Sequence, residues 1–122
     1  MSKATTGKSE KYIVKQVEDL SEFRSTCGFR RSVLTPEDTD AMSLSVLRIN
    51  DSTKHSHLKT SEVYYVLEGE GALELDDEVV PLKPGTTVLI RPGVWHTAKG
   101  EVTALIIGVP PFAKDDMFFE LH

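Results

Sequence analysis

The chain reads as an all-β protein, an antiparallel barrel. Segments of strand composition follow one another with turn signals roughly every eight to twelve residues, the spacing of sandwiches and barrels. Helical character is confined to a weak stretch at 19–26, whereas a parallel α/β sheet needs a helix between successive strand pairs. The 122 residues, 39% hydrophobic and 27% charged, make one domain that can bury a core without disulfides or structural zinc.

Residues 1–10 are almost wholly Ser, Thr, Lys, Gly and Glu, the composition of a disordered tail, so the folded domain is expected over 11–122. Residues 12–17 have strand composition, and 19–23 suggest one helical turn capped by Asp19 or Ser21. Gly28 breaks it, and 29–34 suggest another short strand closed by Thr35, Pro36, Glu37 and Asp38. Residues 41–49 alternate, with Met42, Leu44 and Val46 on the side expected to face the core and Ser43 and Ser45 on the other. Residues 63–67 are apolar on both faces, as a central strand would be. Gly69 and Gly71 mark a bend. Then 72–75 and 78–80 flank Asp76 and Asp77 as a hairpin whose turn lacks glycine, so one aspartate must take a positive φ. Pro84 and Gly85 open a strand at 86–90, Pro92 and Gly93 turn into one at 95–98, and Lys99 and Gly100 turn into one at 102–109. Pro110 and Pro111 end the regular part and leave Phe112, Met117, Phe118 and Phe119 to cover apolar surface.

The net charge of −5 argues against nucleic acid or an anionic membrane surface as a partner, because phosphate-rich partners reward an excess of Lys and Arg. No apolar run has the length of a transmembrane helix, and the polar first residues lack the apolar run of a signal peptide, so a cytoplasmic protein is expected. Cys27 is the sole cysteine and can form no internal disulfide, which suits a reducing compartment. With no histidine near it in sequence, Cys27 is expected to be a buried structural thiol rather than a nucleophile or metal ligand.

Chemistry concentrates in residues 55–69. His55 and His57, two apart, look the same way from a strand. Glu62, five beyond His57, joins them only if the chain turns between, and Leu58, Lys59, Thr60 and Ser61 are the place for that turn. Two imidazoles and a carboxylate on neighbouring strands suit Mn, Fe, Ni or Zn. His96, after the Pro92–Gly93 turn signal, is the candidate for a fourth ligand.

These residues fall into two linked patterns, His55-x-His57-x4-Glu62-x6-Gly69 and Gly85-x7-Gly93-x2-His96. Together they resemble the two motifs of the cupin superfamily, over residues 40–110 or so. The resemblance implies a jelly-roll barrel and makes His55, His57, Glu62 and His96 the ligands of one divalent ion, with Gly69, Gly85 and Gly93 as turn glycines. The chain departs from the family pattern at Ile49, where a glycine is usual, at Arg91, where a proline is usual, and at Gly100, where an asparagine is usual. The family range covers isomerases, epimerases, lyases, decarboxylases and dioxygenases, acting on a small substrate that chelates the metal through oxygen. A non-catalytic module that binds a metal or small ligand is the alternative.

Two further side chains stand out as catalytic candidates. Tyr64 shares the parity of Glu62 and should face the interior, as an acid–base group or as a packing residue. Arg91 leads a basic group with Arg48, Lys54, Lys59 and Lys99, which lies beside the ligand segments and suggests a rim that attracts an anion. Val63, Tyr65, Leu67 and Trp95 fall on the opposite parity, and an apolar outer face of that kind is best covered by a second copy, so a homodimer is expected.

Overall fold

The computed structural model describes residues 7–8 and 11–120, and the rest of the expected N-terminal tail lies outside them. Eleven strands run in order: β1 Gly7–Lys8, β2 Ile13–Val14, β3 Phe23–Ser25, β4 Gly28–Leu34, β5 Ser43–Ile49, β6 His55–Ser56, β7 Ser61–Leu75, β8 Glu78–Leu82, β9 Thr87–Ile90, β10 His96–Val109 and β11 Phe118–Phe119. Every pairing among them is antiparallel. β1 and β2 form a separate two-stranded ribbon, and the other nine strands form one curled sheet. The fold is the antiparallel jelly-roll barrel of the cupins.

The two longest strands carry the architecture. β7 and β10 pair from Ser61↔Val109 to Leu75↔His96, and each passes straight through a place where the sequence suggests a turn. The glycines explain why. Gly100 sits opposite Gly71, and Val102 opposite Gly69, so they serve close approach between two bent strands instead of chain reversal. A Cβ at Gly69 would lie inside the Glu101 carbonyl, and its φ of +88° is one that side-chain-bearing residues avoid. Gly85 and Gly93 also hold positive φ, in their turns, as does Asp76 in the β7–β8 hairpin at 53°. β9 then covers the first half of β7 and β8 the second half.

Two expectations need correction. The helical turn is a short 3-10 turn at Val17–Asp19, with no side-chain cap at Gln16, and Phe23 already belongs to β3. Pairing of β3 with β4 (Phe23↔Arg30, Ser25↔Gly28) takes these residues, since a tertiary ladder outweighs weak local propensity. Along β5 the inner face is the other one: Ser43, Ser45, Leu47 and Ile49 are buried, while Met42, Leu44 and Val46 are half-buried. Alternation reads correctly there, but this part of the barrel encloses a cavity rather than packed core, so the serines point in.

The apolar core lies deeper, where Leu47, Val66, Leu73, Leu82, Ile90, Ala104 and Ile106 pack together, each large side chain contributing about 1.5–3 kcal/mol by burial. Phe112 closes against this core, and β11 pairs with β6, so the C-terminal segment covers the His55–Ser56 end of the barrel. Among the described residues, no helix is long and apolar enough to cross a membrane.

Candidate metal centre

Strand register brings the four residues together. His55 on β6 lies directly opposite His96 on β10, and directly opposed residues of an antiparallel pair share a face, so their rings sit 4.3 Å apart by centroid. His57 follows on the same face, edge-on to His55 at 5.0 Å. Glu62 enters from β7, in register with Ile90 of β9 and Gly108 of β10. The turn between His57 and Glu62 is built by a residue distant in sequence. Buried Asp116 accepts the backbone N–H groups of Leu58 (2.9 Å), Lys59 (3.1 Å) and Thr60 (3.1 Å) on its carboxylate. Burial alone would raise its pKa, but these three donors hold it below the ordinary aspartate range.

Each imidazole is oriented by a backbone carbonyl. Nδ1 of His55 donates to Thr53 O (2.8 Å), that of His57 to Asp116 O (2.8 Å) and that of His96 to Val94 O (3.0 Å). With the proton on Nδ1, every Nε2 lone pair is available to a ligand. Nε2 of His96 and of His57 lie 3.1 and 3.6 Å from Glu62 Oε1, and the four potential ligand atoms lie within 4.8 Å of one another.

The electrostatics of this cluster tie the Glu62 carboxylate to the imidazoles around it. Burial, aided by neighbouring His96, pushes the His55 pKa down to about 4. Burial works against ionisation of Glu62 and His96 as well, yet their close contact and opposite charges win: Glu62 is held below, and His96 above, its ordinary value. Even so, Glu62 Oε1 and His96 Nε2 are both buried without an aligned hydrogen-bond partner. Orphaned buried atoms of this kind require a partner, and three imidazole nitrogens with one carboxylate oxygen are the donors of a borderline divalent cation. The residues fit such an ion.

Above the cluster opens a cavity of about 340 Å³ with His55, His57 and Glu62 in its floor. Ser43 and Ser45 of β5 and Arg30 and Ser32 of β4 line one side, and Phe112 and Met117 the other. Tyr64 is fully buried beside Glu62 in sequence, as its parity predicts, but it lies behind the cavity wall. Its hydroxyl has no partner, and burial together with the Glu62 charge pushes its pKa well above the usual phenol range. Cys27 is buried on the cavity wall, its Sγ 3.9 Å from His55 Nδ1, a proximity that sequence distance hides.

Arg91 is placed elsewhere. It is exposed on the turn after β9 and does not line the cavity. The other members of the expected basic rim also stay outside it: Arg48 pairs with Glu22 (3.0 Å), Lys54 with Glu120 (3.7 Å) and Lys99 with Glu74 (3.1 Å), while Lys59 is exposed. Nearness in sequence to a ligand places a strand residue on the opposite face as often as on the same one. The residues missed from sequence are Arg30, the serines of β5, Phe112 and Asp116. Alternation carried the signal for the serines, and no local pattern marks Asp116.

A profile of the family described as "Cupin domain" matches residues 49–107, a span that contains all four clustered residues. The chain resembles the cupin superfamily over this span and shares its fold. It is 36% identical over 66 residues to an uncharacterised protein of Methanocaldococcus jannaschii, an alignment covering 51% of this chain and about half, 53%, of that relative. Among solved structures, a protein from Planctomyces limnophilus superposes with a TM-score of 0.82 at 25% identity, over 87% of this chain and 95% of that one. Ectoine synthase from P. lautus gives 0.73 at 22% identity, over 90% and 91%. The Streptomyces nucleoside dehydratase Pac13 gives 0.74 at 17% identity, over 86% and 91%. At such identities the last two attest the fold.

Proposed function

We propose that this cupin is a metal-dependent enzyme acting on a small, oxygen-chelating substrate, of the isomerase, epimerase, lyase or dioxygenase type. The observation that carries this reading is the set of four buried, mutually close ligand atoms at the floor of an accessible cavity. His55, His57, Glu62 and His96 would hold one divalent ion, Mn, Fe, Ni or Zn. Such an ion supplies Lewis acidity toward a substrate oxygen. The chain's own residues do the rest: three backbone carbonyls hold the imidazoles in one tautomer, and the cavity wall limits the substrate to a small molecule. Tyr64, kept neutral by its surroundings, is a proton donor in this scheme, reached through Cys27 or a modest movement of the wall. Arg91 remains in the scheme only as an exposed charge that draws anions toward the protein.

The position of Tyr64 behind the wall also favours a second reading, a protein that binds metal and small ligand without turnover, since its phenol does not line the cavity. Metal analysis of protein purified without chelator, followed by turnover assays with the metal found, separates the two. Enzymes of the named types should show turnover that chelator abolishes; metal without turnover on any oxygen-chelating substrate would assign the binding module. The sole cysteine, buried and unpaired, supports a cytoplasmic location. The exposed outer face of β7 and β9 supports a homodimer.

A further inference from the structure

Arg30 lines the cavity, and the other arginines lie outside it. Arg24 donates to Asn50 and to the Asp51 carbonyl, Arg31 to the Leu20 carbonyl and Arg48 to the Glu22 carboxylate. Arg30 donates only to two hydroxyls, Nη1 to Ser45 Oγ at 3.0 Å and Nε to Ser25 Oγ at 3.4 Å. A guanidinium has five N–H donors, so most of its capacity stays unused, and no carboxylate pairs with it among the described residues.

Its direction is fixed by register. Arg30 lies opposite Leu47, and Ser32 opposite Ser45; Leu47 and Ser45 are buried on the inner face, so β4 sends Arg30 and Ser32 inward too. The guanidinium lies over the Phe112 ring at 6.0 Å, and the same ring is 4.9 Å from His57 by centroid. One aromatic ring therefore neighbours both the cation and a member of the four-residue cluster. The remaining basic side chain on the wall, Lys114, is exposed.

We infer that the ligand of this cavity is a small carboxylic acid, its carboxylate gripped by Arg30 while a second oxygen function reaches the His55, His57, Glu62 and His96 cluster; this rests on the metal-site reading proposed above. Three neutral imidazoles and one carboxylate leave a divalent ion with net positive charge, and Arg30 adds another, in a chain whose overall charge is −5. In a half-enclosed cavity that charge draws an anion more strongly than it would in open water. The single planar fork, with serine hydroxyls beside it, matches a carboxylate. A phosphate monoester is ordinarily met by a helix N-terminus or a nest of backbone N–H groups, whereas Arg30, Ser32 and Ser45 stand on strands and the helical segment on the wall is a single 3-10 turn at Lys114–Asp116.

The test is calorimetric binding to zinc-loaded protein, with glycolate, lactate and malate compared against ethylene glycol and propylene glycol. The best acid should bind at least about tenfold tighter than its neutral counterpart, the scale of one charge-assisted pair. Arg30→Gln should remove that preference and leave zinc stoichiometry and diol affinity unchanged. Arg30→Lys, which keeps the charge and loses the fork, should restore only part of it. Acids bound no tighter than diols, or equal losses for both in the glutamine variant, would overturn the inference, as would glycerol phosphate binding tighter than every acid. If the glutamine variant does not fold, the lysine variant decides, and an unchanged acid affinity counts against the fork. A wild-type protein that takes up no zinc defeats the metal reading alone. The same comparison on metal-free protein then still tests Arg30.

Discussion

At the scale of single residues, the proposed metal centre sets a proton and a metal ion in contest for the same nitrogens. His57→Ala removes one ligand from a preformed pocket, so it should lose stoichiometric metal while far-ultraviolet circular dichroism stays β-rich; full occupancy in that variant would remove the assignment. The pH dependence follows from the two shifted histidines. His55, pushed down to about 4, holds no proton to displace above that pH. His96 is raised above its ordinary 6.5, so it begins to compete with metal already in the near-neutral range, and affinity should fall as pH drops through it. In the metal-free protein the sign is opposite. The stability that His96 gains from Glu62 is full below the unfolded value and lost as pH rises through the higher folded one. The thermal stabilisation by added metal should therefore grow as pH rises, and a metal-induced Tm shift that is flat from about pH 8 to about pH 5 would count against histidine ligation. Cys27 touches His55 through its sulfur but holds no ligand position, so Cys27→Ser should keep metal stoichiometry and cost about 0.5–3 kcal/mol in a urea melt. Loss of metal there would make Cys27 part of the centre.

At the scale of elements, the site depends on a segment that carries no ligand. The Asp116 carboxylate closes the turn between His57 and Glu62, and its own carbonyl orients the His57 ring. Asp116→Ala should leave these N–H groups without their partner, costing about 1–3 kcal/mol, and should weaken metal binding about tenfold or more through the misplaced His57. A variant with unchanged urea midpoint and metal affinity would show that the turn holds itself. This dependence marks the boundary of what the sequence discloses. The strands are legible because their alternation and turn residues are local, and the grouping of His55, His57, Glu62 and His96 because their spacing encodes which face each occupies. What stayed hidden depends on pairing between distant segments. Nothing around Asp116 announces that residues 58–60 will need its carboxylate. Arg30 looks like a surface residue until β5 is laid beside it. Apolar residues are normally the buried ones, which would point the serines of β5 outward, and that rule yields where the barrel encloses a cavity rather than a core.

At the scale of the whole molecule, the question is what covers the outside of the sheet. Register aligns its outward residues into two neighbouring rows, Val46, Leu105 and Tyr65 in one and Leu44, Ile107, Val63 and Leu89 in the other. The C-terminal aromatics do not serve this face, since Phe112 turns to His57 and Phe118–Phe119 pair along β6. Tyr65, Leu67 and Leu89 are left 42%, 44% and 53% exposed on adjoining strands, and β9 has only β7 as a sheet neighbour. An apolar face with an open edge beside it favours association with an identical face about a two-fold axis, which buries both at once. Sedimentation or light scattering at micromolar concentration should therefore give twice the chain mass. Tyr65→Glu should give the monomer, because a carboxylate forced into an apolar interface has no partner there. The same variant should retain full metal content, since Tyr65 points to the opposite side of β7 from Glu62 and Tyr64. A wild-type monomer would mean that this face stays in water, and a Tyr65→Glu protein that remains dimeric would move the interface to another surface of the barrel.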